Sequence, residues 1–252
     1  MRGPSVTGPL VTGDPEPRVL VSEGHRLAAA LSRPPAAPIG SVAVAHPHPG
    51  HGGHMDHSVV RAAAERFAAH GVAALRFDVR GVRVCDGDVD DDVGHRMDLL
   101  AASDEAAREA PGLPRWGAGF SYGARLWLEA MNRPDAPPVG GLVLLAPATR
   151  VPRTPRDFGD LLLGRTIRDA ALDLRVLERL ERLPTRAVVL VGERDAVAPP
   201  HEVARHAGAR TTVVVLPGLN HFFSRATGAG ETAYDVLVPA LDAAIRDLLA
   251  SK

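Results

Sequence analysis

Short apolar runs alternate along this chain with stretches whose apolar positions recur at helical spacing. Residues 18–22 and 25–31 surround Glu23-Gly24 and predict an antiparallel pair of edge strands. Pro34, Pro35 and Pro38 interrupt the pattern, and residues 41–46, apolar and β-branched, predict a central strand. A loop at 47–53 follows. A helix is expected over about 56–70, with Val59, Val60, Ala63 and Phe67 on one face and Gly71 as its cap. Residues 72–78 read as the next strand and 79–94 as a loop with an acidic run at 86–92. A helix over 95–110 ends at Pro111-Gly112, a short strand runs over 114–118, and helix formers fill 124–131. Further strands are expected at 141–146, 186–191 and 211–216, with helices at 200–207 and 232–250. The alternation predicts an α/β class fold, a mostly parallel sheet with helices on both faces. Residues 1–17, rich in Pro and Gly, read as a flexible arm, and 18–252 as one domain. The stretch 147–184 is long for a plain crossover and carries helical patterning, so a small cap within 148–184 is expected.

Composition narrows the function classes. The 252 residues suit a single α/β domain, and 45% hydrophobic content with 23% charged residues allows a sizeable core. A net charge of −1 gives no electrostatic case for a nucleic-acid partner or an anionic membrane. The lone Cys85 excludes an internal disulfide and suits a reducing compartment. There is no apolar run of membrane-spanning length, and the first residues lack the apolar block of a signal peptide. A cytoplasmic location is the expectation.

The chemistry concentrates at Gly119-Phe120-Ser121-Tyr122-Gly123, which reads G-x-S-x-G between an expected strand and an expected helix. Glycines at both flanks permit a tight, strained turn that pushes the serine hydroxyl out, while the Tyr122 amide opens the helix and can donate to a developing oxyanion. The bland reading is a Gly-rich turn with an incidental serine. Sites in open α/β sheets form beyond the carboxyl ends of strands, so partners belong there. Asp195 follows the strand at 186–191, and His221 follows the strand at 211–216, in the chain order serine, acid, histidine. Alone, Asp195 is a common turn or N-cap aspartate and His221 one histidine among eleven; together with the elbow they form a base and its orienter. Glu193 is the nearest rival acid, and Asp157 and Asp160 lie too far past their strand. A second oxyanion donor is expected after the strand ending at His46. Pro47 and Pro49 have no amide hydrogen, which leaves His48 or Gly50, and His48 is the choice.

Taken together, His46-Pro47-His48-Pro49 with Gly52-Gly53 and Met55, the run Leu75 through Val82, Gly119 to Gly123, Gly192 to Asp195 and Gly218 to Phe223 resemble the α/β-hydrolase superfamily. More narrowly, they are similar to small bacterial hydrolases that carry HPHP-x-x-GG, LRFNFRGVG-x-S-x-G, GFS-x-G and G-x-x-HFF. The resemblance implies an α/β-hydrolase fold, Ser121 as nucleophile, Asp195 as acid, His221 as base, and His48 and Tyr122 as backbone oxyanion donors. It implies no substrate. Where the family has Gly-x-Ser, this chain has Arg83-Val84-Cys85; Arg83 either binds an acidic group or points to solvent, and Cys85 reads as a packed small side chain. His46, His48, His51, His54 and His57 invite a metal reading, set against a polar, partly exposed loop, and no metal or other cofactor is assigned. Met55, Arg83, Phe120, Phe222 and Phe223 are candidates for the pocket wall. The expected activity is hydrolysis of an ester or thioester of a small-molecule acyl substrate. Peptide or amide cleavage, acyl transfer or cyclisation, and a non-catalytic binding role on the same scaffold remain the alternatives.

Overall fold

The computed structural model of the chain describes residues 13–151, 171–226 and 230–250. Its centre is an eight-stranded sheet in the order β1-β2-β4-β3-β5-β6-β9-β10, built from Glu16–Ser22, His25–Ser32, Val72–Phe77, Gly40–Ala45, Arg115–Phe120, Gly141–Leu145, Arg186–Gly192 and Thr211–Leu216 respectively. The first two strands pair antiparallel, β2 pairs antiparallel with β4, and the pairs from β4 to β10 are parallel. β3, β4 and β6 are buried along their whole length, as expected for a parallel sheet covered on both faces. A two-residue ribbon pairs β7 (Arg150–Val151) with β8 (Ala171–Leu172) outside the main sheet.

Topology creates the crevice. From β3 the chain crosses through helix α1 (Ser58–Ala69) to β4 on one side. From β4 it returns through α2 (Asp92–Arg108) to β5 on the other side of β3. Right-handed crossovers in opposite directions put α1 and α2 on opposite faces, so the loops leaving β3 and β5 diverge at the carboxyl edge. α3 (Tyr122–Met131) packs beside α2 and against α4 (Leu174–Glu181), whereas α1 packs beside α6 (Tyr234–Leu249). The fully buried Trp127 joins α3 to the sheet by donating its indole N–H to Ala118 O at 2.8 Å. Arg66 on α1 holds Asp242 on α6 through two bonds of 2.7 and 3.0 Å.

Several boundaries differ from the sequence expectation for local reasons. β1 begins at Glu16, inside the stretch expected as an arm, where the Glu16 carboxylate pairs with Arg18 and Arg33. Residues 1–12, most of that arm, lie outside the described residues. α1 begins at Ser58 because His57 caps it, its Nδ1 accepting the Val59 N–H at 3.3 Å. α2 begins at Asp92, earlier than expected, because Asp91 accepts the Gly94 N–H at 2.8 Å. Of the expected cap, residues 152–170 lie outside the described residues; its flanks are β7, β8 and α4 (and short α5, Pro200–Arg205, follows β9).

Candidate active site

Ser121 stands between the end of β5 and the start of α3 with φ 54°, a left-handed conformation that a serine adopts only when its surroundings hold it there. Both flanking glycines are required by space. A Cβ on Gly119 would sit 2.5 Å from the Gly123 carbonyl carbon, and one on Gly123 would run into Ala45 O and the His46 carbonyl oxygen, the latter at 2.7 Å. The turn is therefore closed on itself and pressed against the end of β3.

Two further loops meet it. His221, in the turn after β10, places Nε2 2.9 Å from Ser121 Oγ. Its Nδ1 lies 2.9 Å from Asp195 Oδ2 and 3.1 Å from Oδ1. Asp195 is itself fixed: Oδ1 accepts the Val197 and Ala198 amides at 2.8 and 2.7 Å. All three side chains are buried. With a carboxylate at Nδ1, the imidazole carries its proton there and leaves Nε2 as an acceptor for the serine hydroxyl. Glu193 faces elsewhere, its Oε2 accepting the Gly218 amide at 2.8 Å from an exposed position. The turns carrying Asp195 and His221 are joined by the Arg194 N–H to Leu219 O bond at 2.8 Å and by the Arg194 guanidinium on Gly218 O and Arg225 O.

The loop after β3 is stiffened by its own histidines. His46 is fully buried and bridges two strand ends: Nδ1 lies 2.6 Å from Pro47 O, and Nε2 accepts the Val79 N–H at 3.2 Å. That geometry assigns the proton to Nδ1, and burial pushes the ring's pKa down to about 3. His48 Nδ1 accepts the Gly50 N–H at 3.0 Å, which consumes the rival oxyanion amide. The His48 amide itself makes no hydrogen bond within the described residues, and the Tyr122 N–H, first in α3, has no helical acceptor. Burial lowers His48 and His57 to about 4 each. The Tyr122 hydroxyl is also held, donating to Asp92 Oδ1 at 2.6 Å and lying 3.0 Å from the Nδ1 of buried His95. Burial, then the Asp92 carboxylate, raises the Tyr122 pKa well above its ordinary value.

A cavity of about 270 Å³ opens over Ser121. Phe120 and Phe222, expected at its wall, line it together with His48, His57, Arg125 and Arg150. The structure does not bring Met55, Arg83 or Phe223 to that wall. Phe223, at φ 53°, turns into the core and is fully buried against Phe120. The Met55 amide is spent on Asp78 Oδ1 at 2.6 Å. Arg83 pairs with Asp78 and with Asp56 at 2.7 Å, a structural link between loops. Cys85 is half-buried, with the Ala28 N–H 3.2 Å from its sulfur. Among the described residues, no three His, Cys, Asp or Glu side chains converge as metal ligands would.

Sequence reasoning did not single out Arg125, Arg150, Asp92 or His95. Arg125 is on the first turn of α3, one turn from Ser121, so its position was available from the elbow itself. Arg150 and its partner Glu202 are distant in sequence, at 2.5 Å in space, and no local signal joins them.

These loops on this sheet define an α/β-hydrolase. The family model for serine aminopeptidase S33 (Hydrolase_4) matches residues 38–178, more than half of the chain, and the chain belongs to that family of serine hydrolases. A serine hydrolase homologue from Coxiella burnetii shares the fold with a TM-score of 0.68 at 24% identity, over 92% of this chain and 97% of that one. XC6422 from Xanthomonas campestris, a serine hydrolase described as without lid, gives 0.68 and 24% over 96% and 97%. The uncharacterized protein RP471 of Rickettsia prowazekii is 37% identical over 103 residues, which is 40% of this chain and 42% of that protein's length. No helix among the described residues is long and apolar enough to cross a membrane.

Proposed function

We propose that this protein hydrolyses a carboxylic ester or thioester of a small-molecule acyl substrate, with Ser121 as nucleophile, His221 as base and Asp195 as its orienter. The observation that carries the reading is the continuous line from Ser121 Oγ through His221 to Asp195, each step 2.9 Å, at the floor of a cavity. Ser121 Oγ attacks the carbonyl carbon as its proton passes to His221 Nε2. The negative charge that develops on the carbonyl oxygen is taken by the His48 and Tyr122 amides. His221 then gives its proton to the leaving alcohol or thiol. Water, activated by the same nitrogen, attacks the acyl-enzyme and releases the acid. The residues present complete each step without a cofactor.

The family description favours a second reading, cleavage of an amino-terminal peptide bond. Such a substrate brings an α-ammonium group next to the scissile carbonyl. The described residues lining the cavity include no Asp or Glu, and the charged ones among them are Arg125 and Arg150. An ammonium would find no carboxylate on that wall to pair with, so the ester or thioester is the better fit.

A fluorophosphonate probe tests the assignment. Wild-type protein should label and Ser121→Ala should not. Equal labelling of the two would move the nucleophile elsewhere.

A further inference from the structure

We propose that His48 and His57 make the cavity selective for acyl groups carrying an uncharged oxygen acceptor, to which each donates its Nε2–H. This deepens the hydrolase reading above and rests on it. Both rings line the cavity that opens over Ser121. His48 packs on the Tyr122 ring with centroids 4.7 Å apart. His57 packs on Phe120 at 5.1 Å and near Phe222 at 6.5 Å.

Geometry fixes the tautomer of each ring. Nδ1 of His48 accepts the Gly50 N–H, and Nδ1 of His57 accepts the Val59 N–H that begins α1. A nitrogen that accepts carries no proton, so in the neutral ring the proton sits on Nε2. No protein acceptor pairs with either Nε2 within the described residues. Burial keeps both rings neutral at physiological pH. The cavity therefore presents two neutral, oriented N–H donors among aromatic faces. An all-carbon chain would strip them of water and return nothing, and a substrate oxygen would restore the bond.

The cavity's cations do not redirect this toward anions. Arg125 is paired with Asp173 at 2.9 Å and Arg150 with Glu202 at 2.5 Å, so each guanidinium charge is already matched by a carboxylate. A carboxylate on the substrate would meet no unmatched cation there.

The test uses p-nitrophenyl esters whose acyl chains carry one ether oxygen, moved in turn from the β to the δ position. Each is paired with the all-carbon chain of equal length, and a hydrogen glutarate ester serves as the anionic control. For at least one oxygen position, wild-type kcat/KM should exceed that of its carbon partner by about tenfold, and the glutarate ester should be the poorest of the set. His57→Asn keeps a cap acceptor in the place of Nδ1 and removes the Nε2 donor; His57→Gln does the reverse. The same pair is made at His48. The oxygen preference should fall toward unity in the Asn variants and persist in the Gln variants. The reverse pattern, lost in Gln and kept in Asn, would assign the histidines to capping alone and overturn the proposal. So would a wild-type ratio near unity, or a glutarate ester turned over best, and either of those results with Ser121 still labelled by fluorophosphonate leaves the hydrolase reading standing. Failure of labelling together with no turnover of any ester removes both.

Discussion

His221 and the pair His48 and His57 surround one cavity on two different loops, and their surroundings assign them different chemistry. At His221, Nδ1 meets the Asp195 carboxylate at 2.9 Å. At His48 and His57, Nδ1 instead accepts a backbone N–H two residues further on. A carboxylate stabilises the imidazolium, so His221 can take a proton from Ser121 and hold it through an acyl transfer. Burial opposes charging of the loop rings, and the backbone N–H on Nδ1 keeps a proton off that atom, so the loop histidines stay neutral and can only donate from Nε2. His46 is a third case. Its Nδ1 lies on a carbonyl and its Nε2 takes an N–H, which leaves no atom for chemistry and makes the ring a strut between β3 and the turn after β4. Under the proposed reading one residue type serves as base, donor and strut, and the group opposite Nδ1 decides which.

The largest break in this comparison is Asp195→Asn, which removes the charge opposite His221 Nδ1 and offers a side chain that can hold the wrong tautomer. kcat on a short p-nitrophenyl ester should fall by about 10⁴-fold with a much smaller change in KM. Unchanged kcat would remove Asp195 from the line. Next comes the strut. His46→Leu leaves the buried Val79 N–H without a partner, at a cost of about 1–3 kcal/mol, and also removes the partner of the part-buried Pro47 carbonyl. Urea unfolding should show a lower midpoint with little change in slope. A stability equal to wild type would mean that water or a shifted loop replaces both bonds.

Proton linkage separates the two kinds of histidine without touching activity. The loop rings have folded pKa values below the ordinary 6.5, near 3 for His46 and near 4 for His48 and His57. Below pH 6.5 the unfolded chain therefore binds protons that the folded chain refuses. Stability from these groups is complete above about pH 6.5 and is lost as pH falls toward their folded values, by up to about 1.4 kcal/mol per pH unit for each fully buried ring. The part-exposed His48 contributes less than His46. Unfolding free energy measured by urea titration should drop between pH 6.5 and 4, and His57→Asn should flatten that slope by up to one proton. A flat profile in the wild type would show the rings protonated in the folded state.

Much of this arrangement was legible in the chain. The apolar runs that became β3, β5, β6 and β9, together with the connecting helices, locate the crevice, and the order Ser121, Asp195, His221 places three side chains at strand ends before any distance is known. The start of α2 was also legible and was misjudged: Asp91 caps it and Asp92 occupies its first turn, but within an acidic run these residues look like loop. Phe222 and Phe223 show what was not legible. Adjacent and chemically identical, they go to the cavity and to the core, because a left-handed turn at Phe223 decides the direction of the ring. Arg83 suits either an acidic ligand or solvent in the sequence, and its acids proved to be the chain's own Asp56 and Asp78. Long-range pairing of that kind leaves no local pattern.

The smallest effect belongs to the acid that competes with Asp195 in the sequence. Glu193 is two residues away and on the same loop, yet its Oε2 accepts the Gly218 N–H from an exposed position, while the Asp195 side chain is buried against His221. Glu193→Gln keeps a carbonyl oxygen able to accept from Gly218 and discards only an exposed charge. Exposed charges contribute little, so stability should change by less than about 0.5 kcal/mol and kcat by less than about twofold. The pair of variants Asp195→Asn and Glu193→Gln makes the same chemical change at both acids. If both reduced kcat alike, the charge of the whole loop would matter to His221; if only the first does, contact with Nδ1 is what counts.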